Sequence, residues 1–411
     1  MKRRDFFKTM GLGSLMVTLP SLLQANTNPH IVIVGGGYAG RTAAKFLKLW
    51  GGSNVDVTII DSNDAYVSPI LSNLVLNGEK SITDLTFDYT TATNNYNINF
   101  VQEEVTSIDS NAKSVTLADN QQISYDKLVL ASGIDFSFVN DYDTTKVPHA
   151  WIAGEQTTLL KNQLDTLVDG DRFIMSIPAA PYRCPPGPYE RACVVADYLQ
   201  NIKKVDVEVI VLDANSNIIV EEDSFTEAFN RYSIDYRANS IVTQVDDTTM
   251  EVTFQENTTE TTLSAKVLNI IPNQKAASIV CSSGLCDESN FAPVNLTSYE
   301  SLIKNDIYII GDSHKSSQPK AGHIANSEAK ICADAILRTL NGSTPYSAPK
   351  TNSACYSPLS SSTATWLTAV YKYDAASNDM VMVSGGAGVE SSSNYSKMFY
   401  WAGNLFSDTF S

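Results

Sequence analysis

The sequence predicts an α/β fold: two Rossmann-like dinucleotide-binding domains followed by a C-terminal α+β module. Three observations carry that reading. Residues 31–34, apolar and mostly β-branched, run into Gly35-x-Gly37-x-x-Gly40 and then into a helix-like stretch from Arg41. A second strand-like stretch, 55–60, closes on the carboxylate of Asp61. Far downstream, strand-like residues 172–177 and 206–213 flank a helix-like 189–199, the outline of a second βαβ unit.

Each part of the first unit has a physical role. Gly35 permits the tight turn, Gly37 lets backbone N–H groups approach a pyrophosphate, and Gly40 lets the helix close on the strand. The anion then sits at a helix N-terminus, and Asp61 stands where a carboxylate binds ribose hydroxyls. A chance GxGxxG is the competing reading, and the strand, helix and terminal acid in order argue against it. Lys127-Leu-Val-Leu-Ala-Ser132-Gly133 resembles the second flavin-binding signature of two-dinucleotide-domain flavoproteins, in which small residues let the backbone approach the cofactor. Ile307-Tyr-Ile-Ile-Gly311-Asp312 resembles their third, whose aspartate bonds the ribityl chain. Helix-like residues 322–340 follow, with an N-terminal dipole beginning at Gly322. Together the three signatures imply FAD.

Residues 1–25 read as an address. A basic head with Arg3-Arg4 precedes an apolar stretch, 9–23, interrupted by Gly11 and Gly13. It resembles a twin-arginine export signal, which implies a periplasmic protein. A membrane anchor is the alternative, but this stretch is short for a span of about 20 residues. The chain has 411 residues, 43% of them hydrophobic, enough for two or three domains with real cores. Its formal charge is −16, and removing the leader's net +3 leaves −19. That acidity argues against nucleic acid and anionic membrane surfaces; it suits a basic protein partner, or solubility alone. The four histidines show no metal-ligand pattern, and no Cys-x-x-Cys-His attaches a haem, so any haem belongs to another chain.

The second unit departs from a nicotinamide site. In place of GxGxxG stands Pro178-Ala-Ala-Pro-Tyr-Arg-Cys184-Pro-Pro-Gly-Pro-Tyr-Glu190-Arg191. Its prolines donate no N–H to a pyrophosphate, and Gly187 is its one glycine. The expected electron partner is therefore not NAD(P)H.

The stretch Arg183-Cys-Pro-Pro-Gly-Pro-Tyr-Glu-Arg191, with Gly311-Asp-Ser-His314, Pro319-Lys320-Ala-Gly322 and Ala354-Cys355-Tyr-Ser357, resembles the flavoprotein subunit of flavocytochrome c sulfide dehydrogenase. It is more distantly similar to sulfide:quinone oxidoreductases. The resemblance runs from about residue 30 to the end. It implies an FAD enzyme that oxidises sulfide and passes electrons to a c-type cytochrome subunit. It also implies a redox-active disulfide between Cys184 and Cys355, and an acid/base role for Glu190. Lys320 and Gly322 then lie at the flavin.

Chemically, HS⁻ is a soft nucleophile suited to thiol–disulfide exchange, which leaves a persulfide on one cysteine and a thiolate on the other. The family pattern puts Cys355 by the flavin and Cys184 as persulfide carrier, with the assignment left open. Arg183 or Arg191 would attract the anion. Where relatives have a cysteine that links FAD covalently, this chain has Pro69, so a non-covalent flavin is expected. A structural disulfide in an exported protein is the bland reading of the cysteine pair, and a helix-dipole carboxylate that of Glu190. Two other functions compete: a quinone acceptor, and a non-enzymatic FAD-bearing binding or assembly protein. Residues 395–410 carry only Lys397 as a base and make a poor membrane anchor.

The expected organisation is a discontinuous FAD domain (26–150 and 267–345), a degenerate inserted domain (151–266) and a C-terminal module (346–411). Cys281 and Cys286 are expected to form a local surface disulfide, and Cys193 and Cys332 to be buried apolar side chains. Tyr400, Trp401 and Phe406 read as core aromatics, with packing near the flavin or a partner as the alternative.

Overall fold

A computed structural model describes residues 28–411, and the expected export signal lies outside them. The strand His30–Val34 is central to a seven-stranded sheet. Asp56–Asp61 and Asn99–Gln102 lie on one side, Lys127–Leu130 and Ile307–Ile309 on the other, and all five run parallel. Ile31 pairs with Val57 and Ile33 with Ile59. Ile31, Val32 and Ile33 are all 0% exposed, because helices or strands cover both faces. That double cover explains an unbroken apolar run where a half-buried strand would alternate. The helices Tyr38–Gly51 and Gly322–Leu340 pack together, with Ala43, Ala44, Ala329 and Ala333 in the shared core.

A second, four-stranded parallel sheet is ordered Asp235–Arg237, Glu208–Asp213, Arg172–Ile177, Val267–Ile270. The helix expected at 189–199 spans Gly187–Asp197, with Pro188 in its first turn. A proline there loses nothing, since the first N–H groups of a helix lack internal partners. The C-terminal module is an antiparallel sheet of Lys350–Pro358, Ala364–Asp374 and Asp379–Ser391, followed by the helix Ser392–Phe410. Ser391 Oγ caps that helix by accepting Asn394 N–H at 3.1 Å. Its last turn is tied to the first sheet's helices: Lys45 Nζ donates to the carbonyls of Asp408 (2.9 Å) and Ser411 (2.6 Å), and Lys330 pairs with Asp408 at 2.7 Å. Cations at a helix C-terminus also complement its dipole.

Cys281 and Cys286 are disulfide-bonded, and Cys193 and Cys332 are buried at 0% exposure. Trp401 and Phe406 are half-buried, but Tyr400 is 75% exposed, against its expected place among core aromatics. The buried stripe of its helix runs through Tyr395, Met398, Ala402 and Leu405, and Tyr400 falls off that stripe.

Candidate active site

The glycine turn is a cradle that side chains would fill. Gly35 has φ +100°, and a Cβ there would lie 2.5 Å from Ala131 O; a Cβ on Gly40 would lie 1.9 Å from Gly35 O. Gly37 faces the Tyr66 ring. Asp61 Oδ2 accepts Gly36 N–H at 2.7 Å, so the strand-end carboxylate also fixes the turn. Ser132 Oγ is buried without a partner, and Gly133 O accepts Ser313 Oγ–H. Arg41, 2% exposed, donates through Nη2 to the carbonyl of Phe87 at 2.7 Å, while its Nε and Nη1 are buried and unpartnered.

Beyond the sheet edge, Gly311 N–H donates to Glu328 Oε2 at 2.8 Å. The Asp312 carboxyl is raised above its ordinary value by burial, partly offset by Arg183 and Lys320. Lys320 Nζ donates to the carbonyls of Asp312 and His314, 2.8 Å each, and lies 3.9 Å over the Phe291 ring. The helix from Gly322 has no side-chain cap on its first N–H groups. A glycine cradle, orphaned buried donors and an uncapped helix start fit a dinucleotide with a flavin at its far end.

Next to this groove is a cavity of about 80 Å³. Cys184 and Cys355 line it together with Arg183, Glu190, Trp151, His323 and Trp401. The two cysteines come from different modules, one from the turn before helix Gly187–Asp197, the other from strand Lys350–Pro358. Both are free thiols, so the expected bridge is not formed in this structure. Each is held by its own backbone frame. Cys184, at φ +58°, donates its N–H to Lys320 O at 2.7 Å, and Cys355 pairs with Leu367 in the sheet. Burial pushes the Cys184 thiol well up, with the nearby Cys355 and Glu190 adding to it. Burial, then the charge of Glu221, pushes Cys355 up to about 12.

Glu190 is raised to about 8, chiefly by burial, while Asn73 and Arg191 pull it down. Asn73 Nδ2 donates to Glu190 Oε1 at 2.9 Å, and Asn73 Oδ1 accepts Arg191 Nε–H at 3.0 Å. Arg191 does not serve as the expected free anion attractor. At 2% exposure it spends its donors on His149 O (3.1 Å), Asn269 Oδ1 (3.0 Å) and Ala150 O (2.6 Å), and stacks 4.9 Å over Trp151. Arg183 is the cation facing Cys184, although its Nη2 donates to Trp151 O. Asn73, His323 and Glu221 escaped the sequence reading. Asn73 opens an otherwise apolar buried turn, Asn73–Leu76, and an amide at the head of such a turn was its available signal.

Residues 29–167 match the family model of pyridine nucleotide-disulphide oxidoreductases. Residues 157–272 match that of the sulfide dehydrogenase [flavocytochrome c] flavoprotein chain, central part. Ferroptosis suppressor protein 1 of Taeniopygia guttata is 30% identical over 125 residues, covering 30% of this chain and 31% of that protein, so the chain spans under a third of that relative's length. The sulfide:quinone oxidoreductase structure from Aquifex aeolicus superposes with TM-score 0.76 at 17% identity, covering 93% and 92% of the two chains. NDH2 from Plasmodium falciparum in complex with NADH superposes with TM-score 0.69 at 14% identity, over 93% and 98%. The fold is thus the Rossmann-type flavoprotein fold of the pyridine nucleotide-disulphide oxidoreductases, similar to that of the sulfide:quinone oxidoreductase structure. The chain's middle part, residues 157–272, is similar to the central part of the flavoprotein chain of flavocytochrome c sulfide dehydrogenase. The comparisons do not support the expected exclusion of NAD(P)H, since one neighbour is a complex with NADH.

Proposed function

We propose that this protein oxidises sulfide at Cys184 and Cys355 and delivers the electrons, through FAD, to a c-type cytochrome in the periplasm. One observation carries the proposal: two cysteines from separate modules line one buried cavity beside a carboxyl raised to about 8. In the oxidised protein the two sulfurs form a disulfide. HS⁻ attacks one sulfur, the S–S bond breaks, a persulfide forms there and the other sulfur leaves as thiolate, so charge and protons balance. When H₂S arrives instead, Glu190 in its ionised form takes the proton. Loss of two electrons from the persulfide and thiolate together then re-forms the Cys184–Cys355 bond, with the outer sulfur leaving as zero-valent sulfur and the persulfide proton released. The Gly35–Gly40 turn, Asp61, Ser132, Gly133, Asp312, Lys320 and the Gly322 helix start would hold FAD, which when bound supplies a two-electron sink that can release electrons singly.

NAD(P)H has little to grip in the second unit. Gly187 N–H is spent on Cys184 O at 2.9 Å, Pro188 has none, and Glu190 N–H is spent on Pro186 O at 2.9 Å. We keep the periplasmic assignment as part of the proposal, on the Arg3-Arg4 leader. The test is sulfide-dependent reduction of cytochrome c by the flavin-loaded protein. Wild type should turn over and Cys184→Ser should lose at least a hundredfold. Equal rates in both would rule out the cysteine route.

A further inference from the structure

The Cys355 end of the sulfur pair has a carboxylate of its own. Alternate residues of strand Lys350–Pro358 face inward: Thr351, Ser353 and Ser357 are 2%, 3% and 0% exposed. Cys355 shares that face, because side chains of a strand repeat every two residues. Ser357 Oγ–H donates to Glu221 Oε2 at 2.9 Å, which fixes Glu221 on the same face as the Cys355 sulfur. The Thr365 hydroxyl is the other polar group at this buried carboxylate, and no cation among the described residues faces it. Glu221 also has φ +51°, a left-handed conformation that glycine tolerates and glutamate does not favour. A buried glutamate kept in strained backbone is costly for folding and is the kind of feature that functional sites retain.

We propose that Glu221 is a positioning residue that holds a negative charge on the inner face of strand Lys350–Pro358, beside the Cys355 sulfur. The inference rests on the reading of Cys355 as a redox thiol. The groups around Cys355 are Glu221, the Ser353 hydroxyl, which opposes it, and Glu190, with Cys184 across the cavity and Tyr371 on the neighbouring strand. Around Glu221 are the Ser357 and Thr365 hydroxyls, and no cation is among the groups that shift it. An ionised Glu221 disfavours the Cys355 thiolate. A thiolate so disfavoured forms less readily, although each thiolate that does form is intrinsically the stronger nucleophile, so Glu221 holds Cys355 back as a thiol until it reacts.

The test reads the thiol itself. In flavin-loaded, reduced Cys184→Ser protein, the rate of Cys355 alkylation by iodoacetamide is followed at pH 8–10.5 by peptide mass spectrometry. Glu221→Gln should alkylate about three- to tenfold faster at fixed pH, since removing the charge lowers the thiol pKa by about one unit. Glu221→Gly relieves the left-handed strain and should show the same acceleration, while Ser357→Ala keeps the carboxylate and should not. Rates within twofold of the parent in both Gln and Gly variants would overturn the proposal and leave Glu221 a helix-entry residue. Sulfide is absent from this assay, so its failure is distinct from failure of the sulfide reading.

Discussion

Asn73 Nδ2 sits 2.9 Å from Glu190 Oε1, and the same amide receives Arg191 through its oxygen at 3.0 Å. One neutral side chain therefore couples a buried acid to a buried cation without letting them pair directly. Its hydrogen bond favours the ionised carboxylate, so Asn73→Ala should raise the Glu190 pKa by about one unit. Sulfide-dependent flavin reduction, which needs ionised Glu190 when H₂S arrives, should rise with pH through about 8 in wild type. In the variant that rise should move to higher pH, with roughly tenfold slower reduction at pH 7. A stopped-flow pH profile checks this.

The same burial predicts how stability depends on pH. Glu190 titrates near 8 in the folded chain against an ordinary 4.5, so between those values the folded state holds a proton that the unfolded state has lost. Stability from this group is full below about pH 4.5 and is lost as pH rises through 8. Urea unfolding of wild type against Glu190→Gln, from pH 5 to 8, should show wild type losing a few kcal/mol more than the variant.

Gly40→Ala should abolish cofactor loading. Its Cβ would fall 1.9 Å from the Gly35 carbonyl, backbone against backbone, which opens the turn that cradles the pyrophosphate. Protein purified from this variant should lack flavin absorbance, with a melting temperature several degrees lower.

Flavin should be released from wild type by acid precipitation, leaving a colourless pellet, because Pro69 offers no thiolate for a covalent link. Yellow colour retained in the pellet would contradict that.

NADH should leave the flavin oxidised over times at which sulfide bleaches it. Of the N–H groups at the start of helix Gly187–Asp197, those of Gly187 and Glu190 are spent and Pro188 has none, which leaves Tyr189 alone to face a pyrophosphate.

Much of the fold was legible because its signals are local. The strand Arg172–Ile177 and the helix Gly322–Leu340 have the bounds read from apolar runs and a starting glycine. The disulfide Cys281–Cys286 spans only five residues, and a short spacing of that kind is visible in a sequence. Of the candidate site, Cys184 and Glu190 were legible through the family resemblance of one contiguous stretch, and both line the cavity. The site was not legible where partners meet from afar. Asn73 bonds Glu190 across 117 positions and Ser357 bonds Glu221 across 136, and neither spacing leaves a trace in the sequence. Arg191 misled for a related reason: a guanidinium beside a candidate redox cysteine looks free until its buried acceptors, His149, Ala150 and Asn269, are seen.

The central claim is that sulfide delivers two electrons through the Cys184–Cys355 pair. Anaerobic mixing of one equivalent of sulfide with oxidised, flavin-loaded protein tests it most directly, followed by absorbance of the flavin. The account predicts rapid bleaching in wild type and none on the same timescale in Cys184→Ser or Cys355→Ser. Bleaching at the wild-type rate in either serine variant would contradict it.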